Sequence, residues 1–160
     1  MQPDMCIPCG EGFVNIRVGA IIESGGKLLM VGNEDVDYVY SVGGRIQFGE
    51  TALEAVAREV WEETGVTMEV DHLAFMEENY FYADTPSKMG KLIYEIGYYF
   101  YMKVPDDFRP VCESRTADDQ KEHLRWVGAE EGIRMFPDFF HLLPRCVDGG
   151  VRIFSHDDRQ

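Results

Sequence analysis

The chain has 160 residues, enough for one domain with a substantial core. It carries 29 acidic side chains against 15 lysines and arginines, a net charge of −14, which disfavours binding to nucleic acid. No apolar run approaches the roughly 20 residues of a membrane helix, so we expect no membrane contact. The first residues have neither the basic end nor the apolar stretch of a signal peptide, which predicts a cytoplasmic protein.

In chain order, residues 1–12 are predicted to be a loosely docked leader, residues 13–155 a single domain, and residues 156–160 a tail. Runs rich in Val, Ile, Tyr and Phe predict strands at 13–23, 27–31, 38–42, 67–82, 91–104, 123–127 and 151–155. Ser24, Gly25 and Gly26 are typical of a hairpin turn between the first two strands. Residues 105–122 form a long polar segment, and residues 137–147 have the pattern of a late helix.

An early helix is predicted to begin after Thr51, whose hydroxyl forms a capping box with Glu54, and to end at Gly65. Its apolar positions follow the spacing of a stripe that faces the core: Leu53, Val56, Ala57 and Val60. Several strands with two helices indicate an α+β fold or a layered α/β/α sandwich, and nothing in the spacing requires parallel βαβ units.

Three carboxylates lie on one face of the early helix, because Glu59, Glu62 and Glu63 are spaced i, i+3 and i+4. Such a run is often only a solvated acidic face. Like charges at this spacing nevertheless repel, by ~0.2–0.5 kcal/mol per pair, and Arg58 is the only basic residue nearby. Hard cations such as Mg²⁺ or Mn²⁺ prefer carboxylate oxygens, so the cluster is also what a metal site would look like.

The same segment resembles the signature of the Nudix hydrolases, which cleave nucleoside diphosphates linked to another moiety. All nine fixed positions match: Gly44, Glu50, Arg58, Glu59, Val60, Glu62, Glu63, Gly65 and Val66. A match at so many fixed spacings is highly specific. The resemblance extends over roughly residues 13–155 and implies an α/β/α sandwich with a mixed sheet.

The resemblance also implies roles for these residues. Glu59, Glu62 and Glu63 would bind Mg²⁺ or Mn²⁺, with Glu62 and Glu63 as the preferred direct ligands and Gly44 offering a carbonyl oxygen. Glu50 and Arg58 would orient the carboxylates. The metal would position a water that attacks phosphorus, and a carboxylate would take its proton. Glu59 is the first candidate for this base, and Glu122 and Glu113 are the alternatives. The competing interpretation of Glu122 and Glu113 is that they are solvated charges of a loop.

A polyanionic substrate needs cations beyond the metal, and the candidates near the segment are Arg17, Arg45, Lys88 and Lys91. Arg17 is notable because it interrupts an apolar strand. A planar group of the substrate would stack on an aromatic side chain, and the candidates are Tyr38, Tyr40, Tyr80, Tyr82 and Phe136. The position of Tyr82 resembles that of a tyrosine in the dinucleoside-polyphosphate hydrolases. Oxidised or ordinary nucleoside triphosphates are also candidate substrates.

Three other functions stay open on the same fold. They are a nucleotide-binding sensor without activity, an isomerase that acts on isopentenyl diphosphate, and messenger-RNA decapping, which the acidic charge disfavours. Cys6 and Cys9 have the spacing of half a zinc site, which Cys112 and Cys146 would have to complete. The strand at 91–104 could pack on a core or on a partner, so a homodimer is also open.

Overall fold

The computed structural model describes residues 2–34, 36–111, 121–143 and 150–159. Within them lie one α-helix, α1 (Ala52–Thr64), and the 3-10 helices Pro86–Lys88, Ala129–Glu131 and Asp138–Leu142. The strands are β1 (Cys6–Cys9), β2 (Gly12–Ile21), β3 (Glu23–Ser24), β4 (Lys27–Asn33), β5 (Tyr38–Arg45), β6 (Glu69–Tyr82), β7 (Leu92–Lys103), β8 (Glu122–Gly128), β9 (Arg134–Phe136) and β10 (Arg152–Asp157). None of the helices in these residues could cross a membrane.

The strands form a mixed sheet in the order β10-β6-β7-β2-β5-β4-β3, with β1 beside β2, β8 beside β4 and β9 beside β5. Three pairs are parallel, namely β2 with β7, β6 with β10 and β5 with β9. The other pairs are antiparallel. The predicted mixed sheet is therefore confirmed, and β2 and β5 lie in its middle.

Strand β5 changes partners along its length. Its first half pairs with β4 and β9, and its second half pairs with β2. At the change, Gly43 has φ +144°, and a Cβ on it would lie 2.2 Å from the carbonyl oxygen of Val18. Only glycine tolerates both conditions. The close approach brings the end of β5 into the centre of the fold, next to α1.

The predicted ends of α1 are confirmed. Thr51 and Glu54 form the reciprocal capping box, and Gly65 ends the helix at φ +70° with its N–H donating to Trp61. The prediction that Leu53 faces the core is wrong, because its side chain is 55% exposed. Leu53 lies in the first turn beside the exposed Thr51 and Glu54, so the helix packs on the sheet mainly from the next turn onward.

Two apolar clusters cover the two faces of the sheet. On one face α1 contributes Ala55, Val56 and Val60, which pack with side chains of β2, β4, β5 and β7. On the other face, Phe139 and Phe140 pack against Phe75 and Tyr99. These two phenylalanines belong to the 3-10 helix Asp138–Leu142, so within residues 137–143 the predicted late α-helix is instead a short 3-10 helix. The rest of that prediction falls on residues 144–149, outside the described residues.

The expectation of a loosely docked leader is wrong. Strand β1 pairs with β2, and the N–H of Met5 donates to the carbonyl oxygen of Ile46 at 2.7 Å. At the other end β10 runs to Asp157, so the predicted tail begins inside a strand. Both ends of the described chain therefore belong to the sheet.

Cys6 and Cys9 lie three residues apart in β1, and both are free thiols. Residues three apart in a strand point to opposite faces and lie roughly 10 Å apart. Two zinc ligands must each reach a common ion at ~2.3 Å, so this pair does not form half of a zinc site in the folded chain. Cys112 and Cys146 lie outside the described residues.

Candidate active site

Arg58 holds the acidic segment together. Its five N–H groups all donate, two to Glu50 (3.1 and 2.6 Å) and one each to Glu59 (2.7 Å), Glu62 (3.0 Å) and the carbonyl oxygen of Arg45 (3.0 Å). These hydrogen bonds hold the pKa of Glu50 below its usual value. Arg58 therefore ties the helix to the loop before it, where Glu50 and Arg45 lie.

Glu63 is the most buried of the helix carboxylates, with 7% of the residue exposed. The N–H of Gly43 donates to its Oε2 at 3.3 Å. Burial raises the pKa of Glu63 well above its ordinary value, and the charges of Glu122 and Glu59 raise it further. A carboxylate in this position is costly unless a cation compensates it.

Glu59 lies directly over the backbone of Gly44. A Cβ built on Gly44 would lie 2.5 Å from a carboxylate oxygen of Glu59, so the glycine makes room for this side chain. Burial raises the pKa of Glu59, against the hydrogen bond from Arg58, which lowers it. Glu62 is farther out, with 45% of its side chain exposed, and its contact is with Arg58.

Glu122 joins this group from strand β8. It is 7% exposed, so its interpretation as a solvated loop charge is wrong. The hydroxyl of Tyr40 donates to its Oε1 at 2.6 Å. Burial raises the pKa of Tyr40, and the bond to Glu122 raises it further, so the hydroxyl keeps its proton and stays a donor. Glu113, the third candidate base, lies outside the described residues.

The donor set fits a hard divalent cation. The charges of Glu59 and Glu122 both act against the buried Glu63, and Mg²⁺ and Mn²⁺ prefer carboxylate oxygens. In the described residues no three acidic, His or Cys side chains are already drawn together at ligating distances. Glu59 and Glu62 are instead bonded to Arg58, so a cation and this arginine would share the same carboxylates.

Arg17 lies on β2 beside this group. Its Nη1 is 3.8 Å from Glu95 of β7, and the charge of Glu95, then those of Tyr99, Glu59 and Glu63, raises its pKa. The guanidinium lies deep in the molecule, yet 35% of the side chain is open to solvent. The charges of Glu95 and of the helix carboxylates Glu59 and Glu63 therefore all act on a guanidinium that solvent partly reaches.

Arg45 pairs with Arg17 across the β2–β5 register. Its Nη1 lies 3.6 Å from Asp4, and its Nε is buried without a hydrogen-bond partner among the described residues. Both predicted arginines therefore lie beside the segment 44–66.

The other predicted substrate contacts lie elsewhere. Tyr82 and Lys91 line a separate cavity of about 580 Å³, together with Tyr80, and no residue of the segment 44–66 lines it. Lys88 donates to the sulfur of Cys6 at 2.7 Å. Tyr38 packs edge-on against Phe136, with ring centroids 5.0 Å apart. The structure brings none of these side chains to the helix carboxylates.

Comparison with known proteins agrees with this geometry. The sequence model of the NUDIX domain matches residues 14–146. The chain is 26% identical over 144 residues to the phosphatase NudJ of Escherichia coli (strain K12), covering 86% of each protein. Among solved structures, the fold is similar to that of a mutator MutT protein from Bacillus halodurans (TM-score 0.62, 19% identity, 89% of each chain covered). It is also similar to an ADP-ribose pyrophosphatase from Streptococcus suis 89-1591 (TM-score 0.57, 12% identity, 87% of this chain and 98% of that one covered).

The structural likenesses show the fold, and the family rests on the sequence match. That match spans most of the chain and includes the whole of α1 and the glycines before it. The chain belongs to the Nudix family of hydrolases.

Proposed function

We propose that this enzyme uses Mg²⁺ or Mn²⁺ to hydrolyse the diphosphate bond of a nucleoside diphosphate linked to another moiety. The observation that carries the proposal is the position of Glu63, a buried carboxylate facing the charges of Glu59 and Glu122. Without a cation the three repel one another in a medium of low polarity. A diphosphate-bound cation would remove that repulsion and would be held where the bond is cut.

Glu59 and Glu63 would hold the metal, with Glu62 and the carbonyl oxygen of Gly44 as further oxygen donors. The bound ion would neutralise the diphosphate oxygens and stabilise the leaving phosphate. Arg58 orients Glu59 through a 2.7 Å hydrogen bond, which favours the ionised form against the effect of burial.

Two carboxylates can take the proton of the attacking water. Glu59 is the first candidate, because it lies between the helix and the glycine backbone at the centre of the site. Glu122 is the second, because Tyr40 fixes its direction and its charge acts on Glu63. Arg17 and Arg45, neighbours across β2 and β5, would bind substrate phosphates that the metal does not neutralise.

The candidate substrates are dinucleoside polyphosphates and ordinary or oxidised nucleoside triphosphates. Among the similar proteins, NudJ is named a phosphatase and the Streptococcus suis protein an ADP-ribose pyrophosphatase, so ADP-ribose belongs in the same screen. These compounds share the diphosphate and differ in the group attached to it, which the helix carboxylates do not contact.

The test is a hydrolysis screen of these compounds with Mg²⁺, with Mn²⁺ and with chelator. We expect release of phosphate or nucleotide only with metal, and we expect chelation to stop turnover while the thermal unfolding transition stays cooperative. Turnover that persists in chelator contradicts the metal assignment. Nucleotide binding without turnover of any compound, with metal present, would identify the sensor function instead.

Gly44→Ala tests whether activity requires the position of the Glu59 carboxylate over Gly44. The new Cβ would lie 2.5 Å from the Glu59 carboxylate, which is the far end of a flexible side chain and moves away at little cost to the fold. We expect kcat to fall roughly ten- to a hundredfold, as for other changes that misplace a metal ligand, with the melting temperature nearly unchanged. Gly150→Ala is the control, since a Cβ there meets nothing within 4 Å and the backbone is not in the left-handed region. Equal kcat in the two variants would contradict the placement of Glu59.

A further inference from the structure

A group of polar side chains lies on the sheet beyond Arg17, on the side away from the helix carboxylates. The strand register places Asn15, Glu95 and Asn79 in one row across β2, β7 and β6. In the next row Arg17 and Glu77 flank a glycine. We call these five residues the polar rows. The nucleotide chemistry described above uses only Arg17 of these five.

Three residues of the polar rows are buried, and two amide oxygens of the rows have no hydrogen-bond donor among the described residues. Asn15, Glu95 and Glu77 are 4%, 7% and 8% exposed. Asn15 donates its Nδ2 to Glu95 at 3.3 Å, and Tyr99 donates its hydroxyl to Glu77 at 3.1 Å. No donor among the described residues reaches the buried Oδ1 of Asn15 or of Asn79.

Buried acceptors without donors are rare in folded proteins and mark places where a ligand or water completes the bonding. Burial, followed by the charge of Glu95, raises the pKa of Glu77 to about 7. Glu95 is the carboxylate of the rows that lies 3.8 Å from Nη1 of Arg17.

The rows adjoin a side chain that solvent reaches. Arg17 has 35% of its side chain exposed, and the charges of Glu95, Glu59 and Glu63 all act on it. A substrate whose diphosphate is held at α1 and whose remaining group extends past Arg17 would meet the carboxylate and amide oxygens of the rows, which bind N–H donors.

We propose that the polar rows bind the group attached to the diphosphate and select a nitrogen heterocycle with an exocyclic amino group, through Glu95, Asn15 and Asn79. This inference rests on the proposed function, because it takes the diphosphate to lie at the helix carboxylates. A heterocycle with a carbonyl in place of the amino group keeps a ring N–H, but it loses the amino donor and turns an acceptor toward the Glu95 carboxylate. Loss of one such charged hydrogen bond weakens binding roughly ten- to a hundredfold.

The experiment measures the binding of nucleoside monophosphates by calorimetry, with Mg²⁺ present and with no bond to be cleaved. Three pairs are compared. GMP is compared with IMP, which lacks the amino group of GMP. AMP is compared with IMP, and CMP with UMP, which have a carbonyl in place of the amino group. The wild-type protein is expected to bind at least one amino compound tenfold or more tightly than its partner. Glu95→Gln, which places an amide N–H₂ in the row, is expected to remove most of that preference.

Glu78→Gln is the matched control, because Glu78 follows Glu77 on β6 but is exposed and bonds to Tyr94 instead.

Asn79→Leu is the second variant. Since the Oδ1 of Asn79 has no donor in the described structure, this change is expected to leave the melting temperature nearly unchanged and still to weaken binding of the amino compound. A variant that weakened binding only by destabilising the fold would lower the melting temperature as well as the affinity.

Equal affinities within all three pairs, no binding of any of the five compounds at millimolar concentration, or an equal effect of Glu95→Gln and Glu78→Gln would each overturn the inference. The binding assay and the hydrolysis screen test different proposals. If the protein prefers amino compounds but cleaves nothing, the proposed reaction is wrong and the binding site stands. If it cleaves with metal but shows no preference, the proposed reaction stands and the binding site is wrong.

Discussion

Glu63→Gln is expected to lower kcat about a thousandfold and to leave the protein folded. A bound metal contributes several kcal/mol to stabilising the charge that develops in the transition state, and ~4 kcal/mol corresponds to about a thousandfold in rate. Glutamine has nearly the same shape as Glu63 and keeps an oxygen that can accept from the N–H of Gly43, so the local packing survives. It lacks the charge that a divalent cation needs.

The stability of the same variant separates a metal ligand from a structural residue. Burial raises the pKa of Glu63, so above the unfolded-state pKa the ionised carboxylate opposes folding. The neutral amide removes that opposition, and the metal-free variant should melt at the same temperature as the wild type or higher. Mg²⁺ should raise the melting temperature of the wild type and have much less effect on the variant.

Glu69→Gln is the control, since Glu69 is exposed and pairs with Lys103 on the surface. It removes the same charge and should change neither kcat nor the effect of Mg²⁺. Full activity of Glu63→Gln would contradict the metal assignment. A melting temperature several degrees below that of the wild type would assign Glu63 to stability instead.

The carboxylate helix could be predicted from sequence because all its determinants are local. Thr51, Glu54 and Gly65 define the helix ends within 15 residues, and the helical repeat alone puts Glu59 and Glu63 on one face. Glu122 was found only as an alternative, because its place beside Glu63 depends on the pairing of β8 with β4, which brings together residues 59 positions apart in the chain. No short motif encodes that pairing.

The sequence does not predict the polar rows for the same reason. Asn15, Glu95 and Asn79 lie on three strands, and only the register of β2, β7 and β6 brings them together. The sequence does hold a signal, since Asn15 and Glu95, like Arg17, interrupt apolar strands. Conversely, the prediction of Tyr82 rests on its distance along the chain from the signature, and the course of β6 carries it into another cavity.

Arg58→Met is expected to damage both stability and activity, since Arg58 is the shared partner of three carboxylates. Its side chain is 21% exposed, and the side chains of Glu50 and Glu59 are 16% and 13% exposed, so solvent replaces the lost bonds poorly. Removing one partner of a largely buried ion pair leaves the other charge uncompensated. We expect a loss of about 2 kcal/mol in the free energy of unfolding and of ten- to a hundredfold in kcat.

Arg125→Met provides the matched control, because Arg125 donates to Glu131 at 2.7 Å on the surface, with 49% of its side chain exposed. An exposed pair of this kind contributes ~0–1 kcal/mol, so the control should melt close to the wild type and keep its kcat.

A double-mutant cycle with Glu50→Gln tests the cause of the expected Arg58→Met effect. If Glu50 is the charge left uncompensated, Arg58→Met should cost less in the Glu50→Gln background than in the wild type, by about 1–2 kcal/mol. Urea unfolding of the four proteins measures this difference. Strictly additive losses would mean that Arg58 stabilises the fold through its other contacts, those with Glu59, Glu62 and the carbonyl oxygen of Arg45, and the coupling of the loop at Glu50 to α1 would then have to be abandoned.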